Sequence, residues 1–497
     1  MPPQGTNMNL ITGRAIQIDK AIHQTLTKID RQIQENLKNS AFETRPTNSN
    51  GLWCCLLIPT IMVFYTMAYM VSSLYKQMAL LSIGILCYNI LLILFTTVSS
   101  LVLTELRFGP CMVSGLVSTL LLHIFGQMAL IISMTTICLY GLLLRLLIIC
   151  PKTFTIGELM VLLQGFILSY VACVSKILHG QITSGEDFFI DVHLFQTVLS
   201  TVGLIVTALY YMNDSQRNLK HLEYILAAAV AFVIIVLHLQ LGFTCVYQII
   251  NYFFMDMIRA NLICFWLLLC VITVYLLISQ TQKNMRADTV TRKSFHILAS
   301  IVFLSGIICD LQFMKLAAAV ALGLLVFVEA LRKSKIEPIS SHLQSVFEIY
   351  KDEKDCGEFA MTPIYLLMGL ACPLALVPGG GSGVGGSPAR AWALPALSGV
   401  LSTGVGDAAA SWFGKRYGSR RWPGGTRTYE GTFFNIISQL TAVYILQLFN
   451  LIGTPFAIPR TMVAASLAAL VEARTDQVDN LVLPMVMLIG YQIAGVL

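Results

Sequence analysis

The chain has 497 residues, of which 56% are hydrophobic and only 12% charged. A domain that faces water all round carries about 25% charged residues, so this composition excludes a soluble globular enzyme and points to one polytopic membrane body. The net charge of +6 is modest, and the basic residues sit between apolar runs with no tract that would follow a nucleic-acid backbone.

Residues 1–50 are polar and show no cleavable signal pattern. Within them Ile11, Ala15, Ile18, Ile22, Leu26, Ile29, Ile33 and Leu37 recur at steps of three and four, and Lys20, Lys28, Arg31 and Lys38 are among the polar positions. That spacing predicts an amphipathic helix. Its apolar face suits a membrane surface or the protein's own helices equally well.

Residues 51–282 form a multi-pass region. Apolar stretches near 52–75, 78–104, 111–150, 158–178, 191–212, 222–241 and 260–280 are each long enough to cross a bilayer, and 111–150 is long enough for two crossings. Thirteen cysteines lie mostly inside such runs with no CxxC pair, which reads as small buried hydrophobes and not as a disulfide or zinc set. The scattered His123, His179, His193 and His238 read as ordinary helix or loop residues. Arg217 and Lys220 place the sequon at Asn213 on the cytosolic side.

The region 283–497 changes character. Lys283, Arg286, Arg292 and Lys293 precede an apolar span, 297–331, long enough to cross and return with Asp310 at the turn; Arg332, Lys333 and Lys335 follow it. Basic clusters at both ends of such a hairpin belong on one side, and the positive-inside rule makes that side cytosolic. Counting onward, 334–360 stays cytosolic and 361–378 goes out to a lumenal loop, Gly379–Ser387. That glycine-rich loop lacks the phosphate-binding Lys of a P-loop and reads as a flexible linker. Trp392–Trp412 then returns, 432–452 goes out, 461–471 comes back and 481–497 ends the chain across the membrane. The expected fold is an all-α polytopic integral membrane protein with roughly 13–15 transmembrane helices.

This count gathers Asp407, the segment Gly414–Gly431 and the segment Glu472–Asn480 at the cytosolic face. Asp407 follows Gly404 and Gly406, which let neighbouring backbone approach closely. An ionisable residue inside a membrane helix is expensive and marks function unless it merely pairs with an Arg of the next loop. Lys415, Arg416, Arg420, Arg421 and Arg427, interspersed with Gly414, Gly418, Gly424 and Gly425, suit a polyphosphate. The same basic loop suits a topology signal or an anionic-lipid patch. If 472–479 is helical, Glu472, Asp476 and Asp479 share one face. They then form either an exposed polar helix end or a site where a divalent cation, Mg²⁺ by type, bridges carboxylates and substrate phosphates. Taken together these parts suggest metal-assisted phosphoryl or nucleotidyl transfer to a lipid hydroxyl.

Several ordered motifs extend the reading. They are Thr291-Arg292-Lys293-Ser294-Phe295-His296, Asp352-Glu353-Lys354-Asp355-Cys356-Gly357, and Thr362 with Ile364-Tyr365-Leu366-Leu367. Further on come Gly404-Val405-Gly406-Asp407, Arg421-Trp422-Pro423-Gly424, Thr428-Tyr429-Glu430-Gly431-Thr432, and Glu472 with Asp479-Asn480-Leu481. On these, the chain from about 283 to 497 resembles the dolichol kinase family, within the polyprenol kinase and cytidylyltransferase-like superfamily; the first half matches only in being multi-pass.

The resemblance implies transfer of the γ-phosphoryl of CTP to dolichol in the endoplasmic reticulum membrane. The product is dolichyl phosphate for N-glycosylation and related mannosylation, made on the cytosolic face. It also implies that Gly414 through Tyr429, including Thr428 and Tyr429, binds CTP. Asp407, Glu430, Glu472 and Asp479 are the expected metal ligands, and Asp407, then His296, the expected activator of the lipid hydroxyl. Two positions depart from the family pattern: Arg427 stands where Lys is usual, and Pro363 where His is common. Another polyprenol acceptor, a CDP-lipid-forming cytidylyltransferase and a membrane transporter are the alternatives. Nothing in the sequence fixes an oligomeric state.

Overall fold

The protein is described from a computed structural model covering residues 24–25, 27–38, 42–98, 116, 120, 129–178, 186–282, 289–352, 354–378, 390–422 and 427–496. Among these residues every regular element is helical, apart from one isolated β-bridge between Arg421 and Thr428. An all-α body is what a bilayer demands, because a helix satisfies its own backbone where water is absent. Among the described residues eight helices are long and apolar enough to cross a membrane, and shorter apolar helices join them at Leu52–Ala68 and Met361–Leu376. The all-α polytopic expectation is met. Residues 99–115, 117–119 and 121–128 with His123, the linker Gly379–Ser387, His179, and the first part of the amphipathic pattern, through Ile22 and Leu26, lie outside the described residues.

The chain divides into two compact units. The first comprises residues up to 56 and 80–164. In it, helix α1 (27–38) buries Ile33 and Leu37, and the Asn36 side chain donates to the Thr96 carbonyl at 2.7 Å. The described part of the amphipathic helix therefore packs on the protein itself. Arg45 and Glu158 form a buried ion pair there, and Glu158 also accepts from the Thr155 N–H at 3.0 Å.

The second unit, 57–79 and 165–497, holds most of the helices: α2 (Leu57–Ala68), α6 (Glu186–Tyr211), α7 (Leu219–Leu241), α8 (Cys245–Phe254), α9 (Met257–Gln282), α10 (Thr289–Cys309) and α11 (Leu311–Lys333). They are followed by α12 (Ile339–Tyr350), α13 (Met361–Leu376), α14 (Arg390–Ala396), a π-helical turn (Val400–Asp407), α15 (Ala408–Tyr417), α16 (Tyr429–Leu448), α17 (Ala457–Arg474) and α18 (Asp479–Val496). Helices α3 (Ser73–Val98), α4 (Ala129–Ile149) and α5 (Ile156–Leu178) complete the chain.

The predicted hairpin at 297–331 is α10 and α11, with Asp310 capping α11 by accepting from the Gln312 and Phe313 N–H groups. Its core joins Phe303, Ile307 and Met314 to Leu370 and Leu374 of α13, Leu397 and Leu401, and Ala464 and Ala468 of α17. Helices α7 and α9 instead leave Val230, Ile235, Leu267 and Val271 exposed, as lipid-facing helices do. Among the described residues the cysteines form no disulfide.

Candidate active site

The run around Asp407 is helical but not regular. Val400–Asp407 forms a π-helical turn, wider than an α-turn, packed against α10, α16 and α18. Such turns recur at functional sites because they re-aim side chains without breaking a helix. Two glycines make the approach possible. A Cβ on Gly404 would collide with Ser300 of α10, and one on Gly406 would sit 2.5 Å from both the Asn435 and Gln439 side-chain amides of α16.

Asp407 is 1% exposed. It pairs through Oδ2 with Lys293 of α10, while its Oδ1 has no hydrogen-bond partner. The expected alternative partner, an Arg of the following loop, is replaced by a Lys from α10, 114 residues earlier in the chain.

Glu472 and Asp479 stand beyond the apolar runs 461–471 and before 481–497, and they meet by a different route from the predicted helix face. Helix α17 ends at Arg474, the chain turns, and α18 begins at Asp479, so the two acids converge across a turn between helices while Asp476 is exposed. Arg427 bridges them, with Nη1 3.3 Å from Glu472 and Nη2 2.9 Å from Asp479. Lys354 reaches the other oxygen of Asp479 at 3.1 Å and the Gln477 carbonyl at 3.1 Å. Asn435 donates to Glu472 and accepts from Gln439.

Burial pushes the Glu472 carboxyl up to about 7, against the pull of Arg427 and with Asp407 and Asp479 adding to the rise. Asp479 is half-buried, and Lys354, Arg427 and Lys293 together hold its carboxyl well below the ordinary range. Three acids and three cations thus form one mutually interacting set.

Lys354 rides on a tethered arm, residues 351–360. Asp352 pairs with Arg292 of α10, and Arg332 of α11 donates to the Glu358 carbonyl. Asp355 accepts from the Thr362 hydroxyl at 2.7 Å and from the N–H groups of Met361 and Thr362, which fixes the start of α13. Burial raises the Asp355 carboxyl, partly offset by those Thr362 bonds.

The basic segment is part helix and part hairpin. Lys415 and Arg416 occupy the last turn of α15, favourable for cations at a helix C-terminus, and Arg416 lies over the Trp412 and Tyr417 rings. Gly418 ends that helix by donating to the Gly414 carbonyl, and Gly414 packs on Thr428 and Gly431. The hairpin then closes through Trp422 N–H to the Arg427 carbonyl and Tyr429 N–H to the Arg420 carbonyl, both 2.9 Å, with the Trp422 and Tyr429 rings stacked 4.1 Å apart. Arg420 and Arg421 are exposed. Gly424 and Gly425 lie outside the described residues. The Thr428 hydroxyl caps α16 by accepting from the Gly431 N–H at 3.1 Å.

Glu430 does not join the other expected metal ligands. Its carboxylate accepts from the Ser419 hydroxyl and the Arg420 N–H, so it organises the hairpin. His296, one turn after Lys293 on α10, is buried and bonds through Nδ1 to the Arg292 carbonyl at 3.1 Å. Among the described residues no three acidic, His or Cys side chains converge on one metal-sized point. Asp407 Oδ1 is unbonded, whereas both Glu472 oxygens are engaged, by Arg427 and Asn435; Mg²⁺ commonly takes only one or two protein carboxylates, with phosphates and water completing its shell. Sequence reasoning missed Lys293, Lys354, Asn435 and Gln439 as site members, although both lysines stand in motifs that carry the family resemblance.

A family model described as "Dolichol kinase" matches residues 28–375. The chain belongs to the dolichol kinase family. Dolichol kinase from Bos taurus is 30% identical over 416 residues, covering 80% of this chain and 77% of the bovine one. Dolichol kinase from Mus musculus is 28% identical over 482 residues, 93% of this chain and 89% of its own. The human dolichol kinase is 30% identical with coverage of 80% and 77%. No solved structure matches. The family match begins at residue 28, so the kinship takes in the N-terminal helices, which the motifs after 283 had left out.

Proposed function

We propose that this chain is a CTP-dependent dolichol kinase of the endoplasmic reticulum membrane, working at the cytosolic face to supply dolichyl phosphate for N-glycosylation and related mannosylation. The observation that carries the reading is the buried Asp407, one oxygen paired and the other unbonded, set among Lys293, Arg427, Glu472 and Asp479 beside a basic hairpin. A triphosphate held by Arg427, Arg420, Arg421, Lys415 and Arg416 places its γ-phosphoryl toward Asp407. The lipid hydroxyl oxygen bonds to Pγ, the bond from Pγ to the β-bridging oxygen breaks, and CDP leaves with the electron pair. Asp407 orients the hydroxyl and takes its proton. A transition state with this much spread negative charge needs positioning and neutralisation above all, which a converging set of cations provides. Mg²⁺, held by Asp407 and Glu472, would supply charge neutralisation on the phosphates.

The basic clusters flanking α10 and α11 support the cytosolic orientation by the positive-inside rule. Purified protein in nanodiscs, given CTP labelled at the γ or the α position and a panel of polyisoprenols, tests the reading. Lipid carrying γ-label is the expected product. Lipid carrying α-label would make the chain a cytidylyltransferase, and transfer from neither CTP nor ATP would defeat the proposal.

A further inference from the structure

Of the six charged groups in the set, Lys293 has no role in the phosphoryl transfer as proposed, yet it alone touches Asp407. The contact joins an ammonium whose side chain is 19% exposed to a carboxylate that is 1% exposed. A buried carboxylate needs a partner, but this one is only half satisfied, because Oδ1 is shut away from water without a hydrogen bond. Lys293 also opens a polar line along α10. His296 and Ser300 follow it at steps of three and four, the spacing of one helix face, and Ser300 lies against Gly404 with its own hydroxyl unpartnered. Arg427 comes from the hairpin and pairs with Glu472 and Asp479, not with Asp407.

We infer that Lys293 is a further catalytic residue whose ammonium shifts from Asp407 onto the γ-phosphoryl oxygens of the donor nucleotide, so that it marks the γ subsite. The inference rests on the proposed kinase activity. A triphosphate brought beside a buried carboxylate meets repulsion unless a cation stands between them, and Lys293 is the cation already in contact with that carboxylate. Its four-carbon stem lets a compact point charge move by a bond length or two while Asp407 stays in reach, which a planar guanidinium does less well. During transfer Lys293 makes and breaks no covalent bond. It neutralises charge on the γ oxygens while the hydroxyl proton goes to Asp407 and the electron pair departs on CDP. Arg427, arriving with the hairpin, then serves the α and β phosphates.

Binding of the β,γ-methylene analogue of CTP and of CDP to the full-length protein in nanodiscs separates this role from a merely structural one. Lys293→Met should weaken the analogue at least tenfold and change CDP affinity less than twofold. Equal losses for both ligands, or no loss for either, would overturn the inference. Should Lys293→Met fail to insert, Lys293→Arg keeps a cation opposite Asp407, and it should lower the preference for the analogue over CDP severalfold; an unchanged preference overturns the inference. A wild-type protein that binds neither ligand and transfers no phosphoryl group would instead defeat the kinase reading itself.

Discussion

Adding one methyl group at Gly406 tests whether the turn that aims Asp407 also holds Glu472 in place. A Cβ at this position falls 2.5 Å from both Asn435 Oδ1 and Gln439 Nε2, about 1 Å inside ordinary contact. Asn435 cannot yield that distance without leaving Glu472, to which its amide donates. Overpacking costs about 1–3 kcal/mol, and losing a hydrogen bond to a charged group about 1.5–3 kcal/mol. Gly406→Ala should therefore lose about 3 kcal/mol of site organisation, which is roughly two orders of magnitude in turnover if that organisation is needed in the transition state. The assay is lipid phosphorylation from γ-labelled CTP in nanodiscs, beside a thermal melt. Gly203→Ala is the control: nothing lies within 4 Å of a Cβ there, so it should be neutral or stabilising by up to about 1 kcal/mol. In an Asn435→Ala background Gln439 is released to swing aside, and the added Gly406→Ala should cost under about 0.5 kcal/mol. Strictly additive losses, or a fully active Gly406→Ala, would refute the steric reasoning.

Three further outcomes are expected. Asp407→Asn should abolish transfer, by at least on the order of a hundredfold, while membrane insertion and the melt stay near wild type; retained activity would remove its assigned role. Thr362→Val deletes the hydroxyl donor to Asp355, loosens the arm that carries Lys354 and should raise the KM for CTP. Because burial already holds the Asp355 carboxyl above its unfolded value, ionising it costs stability as pH rises past that value, and losing a donor enlarges the cost. The variant should melt closest to wild type in acid and furthest below it at neutral pH, and the reverse order would refute this account. Arg45→Leu strands the buried Glu158 in the first unit and should cost about 3–5 kcal/mol of stability, most of it regained in Arg45→Leu/Glu158→Leu, with turnover per folded molecule unchanged; activity assays normalised to folded protein check it.

The spans were legible because a water-facing fold has little use for repeated apolar runs of bilayer length, and Asp407 was legible because an acid inside such a run is costly. Lys293 and Lys354 were not legible as counter-ions. A lysine at the end of an apolar run also reads as a topology signal, and its partner lies 114 residues away for Lys293 and 125 for Lys354. Asn435 and Gln439 were silent for a related reason: neutral amides one turn apart in a span carry no charge to mark them, and their importance arises only from what they touch. The carboxylate face expected over 472–479 failed because the chain leaves the helix after Arg474, which sends Asp476 outward and lets Asp479 return as the first residue of α18. The segment read as one basic loop is likewise divided, since α15 runs on through Lys415 and Arg416 before the hairpin begins.

The π-turn accounts for why so few groups suffice. A turn of this kind is wider and less well hydrogen-bonded than an α-turn, a local cost that persists only where the surroundings impose it. Here Gly404 admits α10 and Gly406 admits α16, so the backbone just before Asp407 is gripped from two sides. Lys293 of α10 holds the carboxylate, and Asn435 of α16 holds Glu472. The same two helices that fix the turn therefore supply the side chains that fix the acids, and a shift in either helix moves backbone and charge together. On the proposed kinase reading, with a barrier lowered by position and neutralisation, that shared support sets Asp407 and Glu472 relative to one another through the same two helices.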